Sequence, residues 1–256
     1  MKTLVVCPTY GRVPYLNRMV ASFLSQTYDD KHLVIINDDK NVEICCDNNQ
    51  VTCINLNKKI LLPQKRNIGI MLGYYDLIMQ YDDDDIFLPN RISNHVQKHI
   101  ENPDIWYYWN MSSYIIYGDK FEIAGCSPNH SSFLRKAWFS VGGYANNENI
   151  GDDMEFFYKI PNNFKKEEND PTLADYVYNF GGVNYHASYE KDIRIDEIAY
   201  NQLSNMNLIG KKYWIEPDYE EYNKFLILEN LYKQKKESLI IKHIDQGKIG
   251  IDHLMI

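Results

Sequence analysis

Nowhere in the 256 residues does an apolar run approach the roughly 20 residues that cross a bilayer, so a helical membrane span is not expected. The first residues, Met1 to Pro8, turn polar too soon for a secretory signal. Cysteine is sparse and odd in number, and Cys7, Cys45, Cys46, Cys53 and Cys126 show no metal-ligand spacing. Reduced thiols in a cytoplasmic setting are expected. An excess of positive charge is also missing. The net charge of -8 argues against a nucleic-acid surface, because neutralising phosphates needs clustered Lys and Arg. A nucleotide is not excluded, since a metal and two or three local cations can meet its charge. There is no fixed-period repeat and no low-complexity segment. What is present is ordinary for a globular chain, with 45% hydrophobic and 24% charged residues, and the length suits one large domain or one domain plus an extension.

One stretch stands apart. Met79-Gln80-Tyr81 ends an apolar run, and Asp82-Asp83-Asp84-Asp85 follows it directly, with Pro89 close behind. Adjacent carboxylates repel by about 1 kcal/mol per pair at close range in water. A divalent cation offsets that repulsion, and in an extended segment Asp82 and Asp84 face the same way while Asp83 points elsewhere. Hard oxygen ligands select magnesium, manganese or calcium. The alternative is a solvated acidic loop, or a cluster that complements the dipole of the helix after Pro89.

The remaining pattern alternates strand and helix. Thr3 to Cys7 reads as a buried strand, Pro8 to Arg12 as a turn, and Pro14 as the first turn of a helix. Leu16, Met19, Val20, Phe23 and Leu24 form one helical face. Leu33 to Ile36 is a second strand ending at Asn37-Asp38-Asp39, and Val51 to Leu56 a third. Pro63 opens a helix carrying Lys65 and Arg66, with Gly73 at its C-terminal end, and Asp76 to Tyr81 is the fourth strand. Farther on come a helix facing inward through Ile92, Val96, His99 and Ile100, and strands over Ile105–Asn110 and Tyr114–Tyr117. A hairpin turn at Gly118-Asp119, a strand over Ser131–Leu134 and a short helix with Trp138 and Val141 follow. Met154 to Ile160 reads as helix, Lys165 to Asp170 as an exposed loop and Tyr176 to Tyr178 as a strand. Trp106, Trp109 and their tyrosine neighbours read as core rather than as a sugar-stacking platform. From Asp192 onward helices are expected, with Tyr222, Phe225, Leu226 and Leu228 to Leu231 as the apolar face. Such alternation implies an α/β fold with a mostly parallel sheet, whose ligands sit beyond the carboxyl ends of the strands. Thr9-Tyr10, Asp38-Asp39 and Asp82 to Asp85 all fall at such ends.

In order and spacing, these segments resemble the inverting glycosyltransferases of family 2. The segments are Val5 to Arg12, Ser22 to Tyr28, Leu33 to Asp39, Arg66-Asn67-Ile68-Gly69 and Tyr81 to Asp85. Gly142-Gly143-Tyr144 and Gly151-Asp152-Asp153-Met154-Glu155-Phe156-Phe157 are similar to that family's acceptor-side and catalytic motifs. The likeness covers about residues 2 to 190, and the ordered series is more specific than any one member. It implies the GT-A fold: a Rossmann-like, mostly parallel sheet with helices on both faces over residues 1–188, and a helical extension over 189–256. Thr9, Tyr10 and Arg12 would line a nucleotide pocket, Asp39 would accept from the base, and Lys65, Arg66 and Asp83 would complete the nucleotide set. Asp82 and Asp84 match the DxD motif and would hold Mn2+ or Mg2+, with His186 as a further ligand. Asp153 matches the catalytic base, with Asp152 as the alternative.

The expected reaction moves one sugar from a nucleotide-sugar donor, UDP-linked, to a hydroxyl on a glycan, lipid or protein acceptor. A catalytically silent nucleotide- or sugar-binding module is one competing reading. A sugar-phosphate nucleotidyltransferase is another, although Pro8 to Arg12 holds a single glycine where that class has a glycine-rich loop. Bland roles compete residue by residue: Asp38-Asp39 as a turn, Asp153 as a helix cap, Arg12 and Arg66 as salt-bridge residues. Two departures from the family pattern stand out. Asp39 precedes Lys40-Asn41 rather than Gly-Ser, and the catalytic pair is Asp-Asp rather than Glu-Asp. The absence of Gln-x-x-Arg-Trp argues against a processive synthase.

Overall fold

The computed structural model describes residues 1–117, 120–125, 130–145, 151–180 and 211–245. Its strands are β1 (Thr3–Thr9), β2 (Lys31–Asn37), β3 (Val42–Cys45), β4 (Val51–Asn55), β5 (Leu77–Gln80) and β6 (Ile86–Phe87), then β7 (Tyr107–Asn110), β8 (Ser112–Tyr117), β9 (Lys120–Gly125), β10 (Ser132–Leu134), β11 (Lys165–Glu168), β12 (Tyr176–Phe180) and β13 (Lys211–Trp214). Its α-helices are α1 (Val13–Leu24), α2 (Leu62–Met71), α3 (Arg91–Glu101), α4 (Arg135–Ser140), α5 (Asp152–Lys159) and α6 (Tyr219–Asp245). The main sheet runs β11-β7-β10-β5-β1-β2-β4. Within it β1 pairs in parallel with β2 and β5, and β2 with β4, while β10 lies antiparallel between β5 and β7.

The two-residue period of β1 explains the layers. Val5 and Cys7 point to one face, where Leu16, Met19, Val20 and Phe23 of α1 and Ile92 and Val96 of α3 bury against them. Leu4 and Val6 point to the other, where Ile70 of α2, Ala137 of α4 and Phe156 and Phe157 of α5 pack. Each fully buried large apolar side chain contributes roughly 1.5–3 kcal/mol, so both faces need cover. The helix α2 lies unusually close to the sheet: a Cβ on Gly69 would sit 2.4 Å from Val6 Cγ1. That approach fixes Lys65 and Arg66, one turn earlier, over the ends of the strands.

A second sheet, β6-β12-β8-β9, flanks the first. The helix α6 packs Tyr222 and Phe225 among Ala21, Ile86, Leu88 and Val177, and the Tyr222 hydroxyl donates to the Phe87 carbonyl at 3.2 Å. Trp106 stacks on Phe164 at 3.8 Å and Trp109 meets Phe157 edge-on at 5.5 Å, both as core residues.

Several expectations are corrected. Lys165–Glu168 is not a loop but the edge strand β11, parallel to β7. Its charges suit an edge, and Glu168 is held by Lys98 at 2.8 Å and by Lys166 at 3.0 Å. The strand β3 went unforeseen, and so did β13, which pairs with β3 from a segment expected to be helical. Ile100 is 57% exposed because His95 and His99 fill the inner face of α3 instead. On α6, Leu228 and Leu231 are exposed. The turn at Gly118-Asp119 lies outside the described residues.

Candidate active site

The carboxyl ends of β1, β2 and β5 meet at one rim, and polar side chains join them. Asn37, the last residue of β2, is the hub between the first two. Its Oδ1 accepts from the backbone N–H of Gly11 at 2.9 Å and of Asp39 at 3.1 Å. Gly11 has φ +66°, and a Cβ there would lie 2.8 Å from Asp39 Oδ2, so only glycine lets the turn after β1 approach that carboxylate. Asp39 is 3% exposed, its Oδ1 accepts from the Asn41 N–H at 2.9 Å, and burial raises its pKa. Tyr10 is half-buried at the mouth, with Lys59 Nζ 5.3 Å from its ring centroid.

Lys65 turns inward. Its Nζ donates to Asp38 Oδ1 at 2.7 Å and to the Thr9 carbonyl at 3.0 Å, and burial lowers its pKa against the pull of Asp38. The other Asp38 oxygen accepts from the Ile60 N–H at 2.9 Å. Lys65 thus ties α2 to the ends of β1 and β2 from beneath the rim.

The acidic tetrad is a turn, not an extended segment, closed by Asp85 N–H donating to the Asp82 carbonyl at 3.4 Å. Burial alternates along it nevertheless. Asp83 is wholly buried: Thr9 Oγ1 donates to its Oδ2 at 2.5 Å, Arg12 Nε donates to the same oxygen at 2.9 Å, and Arg12 Nη2 pairs with its Oδ1. Asp85 is 3% exposed and accepts from the Tyr176 hydroxyl at 2.5 Å. The side chains of Asp82 and Asp84 remain 29% and 13% exposed. Both Asp83 oxygens accept hydrogen bonds inside the protein. Its carboxylate acts on the site through Arg12.

Two arginines cross the rim. Arg12 also reaches Asp84 Oδ2 from Nη1 at 3.1 Å, and Arg18 Nη2 holds the Asp84 carbonyl at 2.6 Å. Burial opposes the Arg12 charge, but Asp83 and Asp84 outweigh it and raise the pKa. Arg66 pairs through Nη1 with Asp152 Oδ2 at 2.6 Å and through Nη2 with Asp82 Oδ1 at 3.6 Å. Burial opposes that charge too, and Asp152, then Asp82, prevail. Asp152 is 5% exposed and committed to Arg66, whereas Asp153, next on α5, is half-buried. The first turn of α5 thus carries, at Asp152 and Asp153, one buried and one partly exposed carboxylate, both at the positive end of the helix dipole.

Asp82 and Asp84 are hard oxygen donors on an open rim. That suits a small divalent cation, which usually takes one or two carboxylates, substrate phosphates and several waters. Among the described residues no cluster of three or more His, Cys, Asp or Glu side chains makes an all-protein metal cage. His186 lies outside the described residues. Sequence reasoning missed Asn37, Arg18 and Tyr176 as supports of the rim. Asn37 alone left a signal, as a polar residue ending a buried strand.

A model of Glycosyl transferase family 2 matches residues 4–140. Over 108 residues the chain is 33% identical to YwdF of Bacillus subtilis (strain 168), described as an uncharacterized glycosyltransferase; the match covers 41% of this chain and 40% of that protein. The chain thus spans about two fifths of that relative's length. Among solved structures, S. aureus TarS 1-349 in complex with UDP-GlcNAc superposes with a TM-score of 0.59 at 12% identity, covering 81% of this chain and 72% of that one. The mannosyltransferase PcManGT from Pyrobaculum calidifontis, in complex with GDP-Man and Mn2+, gives 0.56 at 14% identity, covering 73% and 59%. At such identities these two likenesses show the fold, which is GT-A.

Proposed function

The chain belongs to glycosyl transferase family 2, a family of glycosyltransferase enzymes, and from that premise we propose that it transfers a single sugar, with inversion, from a UDP-linked donor to a hydroxyl acceptor. The observation that carries the reading is the sorting of carboxylates at one rim. Asp83, Asp85 and Asp152 are buried on Arg12, Tyr176 and Arg66, while Asp82, Asp84 and Asp153 keep part of their surface exposed.

In this reading Tyr10 lines the base pocket, and Asp39 accepts the N3–H of uracil. Arg12, held on Asp83, sets the position of Asp84. Asp82 and Asp84 would hold Mn2+ or Mg2+, a Lewis acid that neutralises the departing diphosphate. Asp153 takes the proton from the acceptor hydroxyl as its oxygen bonds to the anomeric carbon, and the bond from that carbon to the diphosphate oxygen breaks. A carboxylate is a weak base at pH 7, so its placement supplies much of the rate. The identity of the base is supported only by this complementarity, since the two neighbours above hold different nucleotides. We also read residues 1–188 as the GT-A domain and 189–256 as an extension, of which α6 packs on α1. Among the described residues no helix is long and apolar enough to cross a membrane. A cytoplasmic site of action is part of the proposal.

Incubation with a panel of nucleotide sugars and Mn2+, read as nucleoside diphosphate release, tests the function. UDP should appear, and Asp153→Asn should abolish its release while UDP still binds. Pyrophosphate as product, or undiminished turnover by Asp153→Asn, contradicts the proposal.

A further inference from the structure

Arg66 occupies a place that a simple nucleotide contact does not require. Its side chain is 3% exposed, with Asp152 at 2.6 Å on one side and Asp82 at 3.6 Å on the other. The ring of Tyr144 lies 5.6 Å from its guanidinium. The next residue along α2 grips the same region: Asn67 Nδ2 donates to the Tyr144 carbonyl at 2.8 Å, and Asn67 Oδ1 accepts from the Tyr144 N–H at 3.0 Å and from Trp138 Nε1 at 2.9 Å. Consecutive residues of α2 therefore hold both the Gly142-Gly143-Tyr144 turn and the first residue of α5.

We propose that Arg66 is a positioning residue that sets the reach of the Asp153 carboxylate through its ion pair with Asp152. The inference rests on the reading of Asp153 as base and Asp82 as a donor-side carboxylate. The ion pairs of Arg66 with Asp152 and Asp82 differ in kind. The Asp152 pair is short and closed off, at 6% exposure, while the Asp82 contact is long and open, at 29%. The Arg66–Asp152 pair holds the start of α5 on α2. A lysine, with one point charge, cannot hold two carboxylates with the same geometry.

The test compares wild type, Arg66→Lys, Arg66→Met and the double variant Arg66→Met/Asp152→Asn. UDP release is measured with a UDP-sugar that the wild type turns over, and binding of UDP with Mn2+ by calorimetry. Arg66→Met should lower kcat by about 30-fold or more while the Kd for UDP changes less than about threefold, with Arg66→Lys in between. The double variant leaves no uncompensated buried charge, so it folds even where Arg66→Met does not. Its kcat should fall no further than that of Arg66→Met. A raised KM with unchanged kcat would make Arg66 a nucleotide contact and overturn the inference alone, as would losses that add between positions 66 and 152. A wild type that neither binds UDP nor releases it from any donor overturns the proposed function and this inference together.

Discussion

Replacing Arg12 by Met removes the guanidinium that pairs with Asp83, a carboxylate with no exposed surface. Thr9 Oγ1 still donates to one oxygen and the Lys65 charge still acts on it at longer range, but the direct ion pair that offsets most of its desolvation is gone. Breaking a buried pair from one side costs about 3–5 kcal/mol, because a buried charge is left uncompensated. For a domain of this size, that corresponds to a fall in Tm of about 6–20 °C. Replacing both partners, as Arg12→Met/Asp83→Asn, removes the charge as well and should recover most of the loss. Urea unfolding of wild type, both single variants and the double variant closes the cycle, with a coupling of about 2 kcal/mol or more expected. If Arg12→Met were destabilised by less than about 1 kcal/mol, or the double variant were as weak as the sum of the singles, the pair would not be the anchor of the tetrad.

Three further outcomes are expected. Ser132 Oγ lies 2.9 Å from His95 Nδ1 and 3.0 Å from His99 Nε2, and burial pushes both rings down, His95 well below its ordinary value and His99 to about 4. The fold favours the neutral rings, so their stabilisation is complete above about pH 6.5 and is lost as pH falls toward 4, by about 3 kcal/mol for His99 alone. Urea midpoints at pH 7.5 and 5 should differ accordingly, and the difference should shrink in His99→Gln. Gly69→Ala should lose about 1–3 kcal/mol by urea unfolding, despite the better helix propensity of Ala, since its Cβ would meet Val6. Asp39→Asn should weaken UDP binding by about tenfold in calorimetry while leaving the urea midpoint nearly unchanged, the loss of a charge-assisted hydrogen bond to the base.

The sequence was most legible where period and polarity agreed. The apolar runs of β1, β2 and β5 and the inward stripe of α1 could be read directly, and with them the rim where Thr9, Asp39 and the tetrad converge. Strands without such runs could not. The charged β11 has the composition of a loop, and only its pairing with β7 makes it a strand. The segments β3 and β13 are strands because each supplies the other's hydrogen bonds across more than 160 residues of chain, a partnership no local window contains. The candidate site divides in the same way. Residue types and strand ends pointed to the acidic groups, but which carboxylates face inward depends on Arg12, Arg66 and Tyr176 arriving from elsewhere in the chain. Asp83 and Asp152 are held on Arg12 and Arg66, partners that lie far from them in the chain.

The central claim is that Asp82 and Asp84 form a cation site that binds a nucleoside diphosphate. Calorimetric titration of UDP into wild type and into Asp84→Asn, each with Mn2+ and with chelator, tests it most directly. Wild type should bind at least about tenfold more tightly with Mn2+ than with chelator, and Asp84→Asn should show no such gain. Equal affinity in all four titrations would contradict the account.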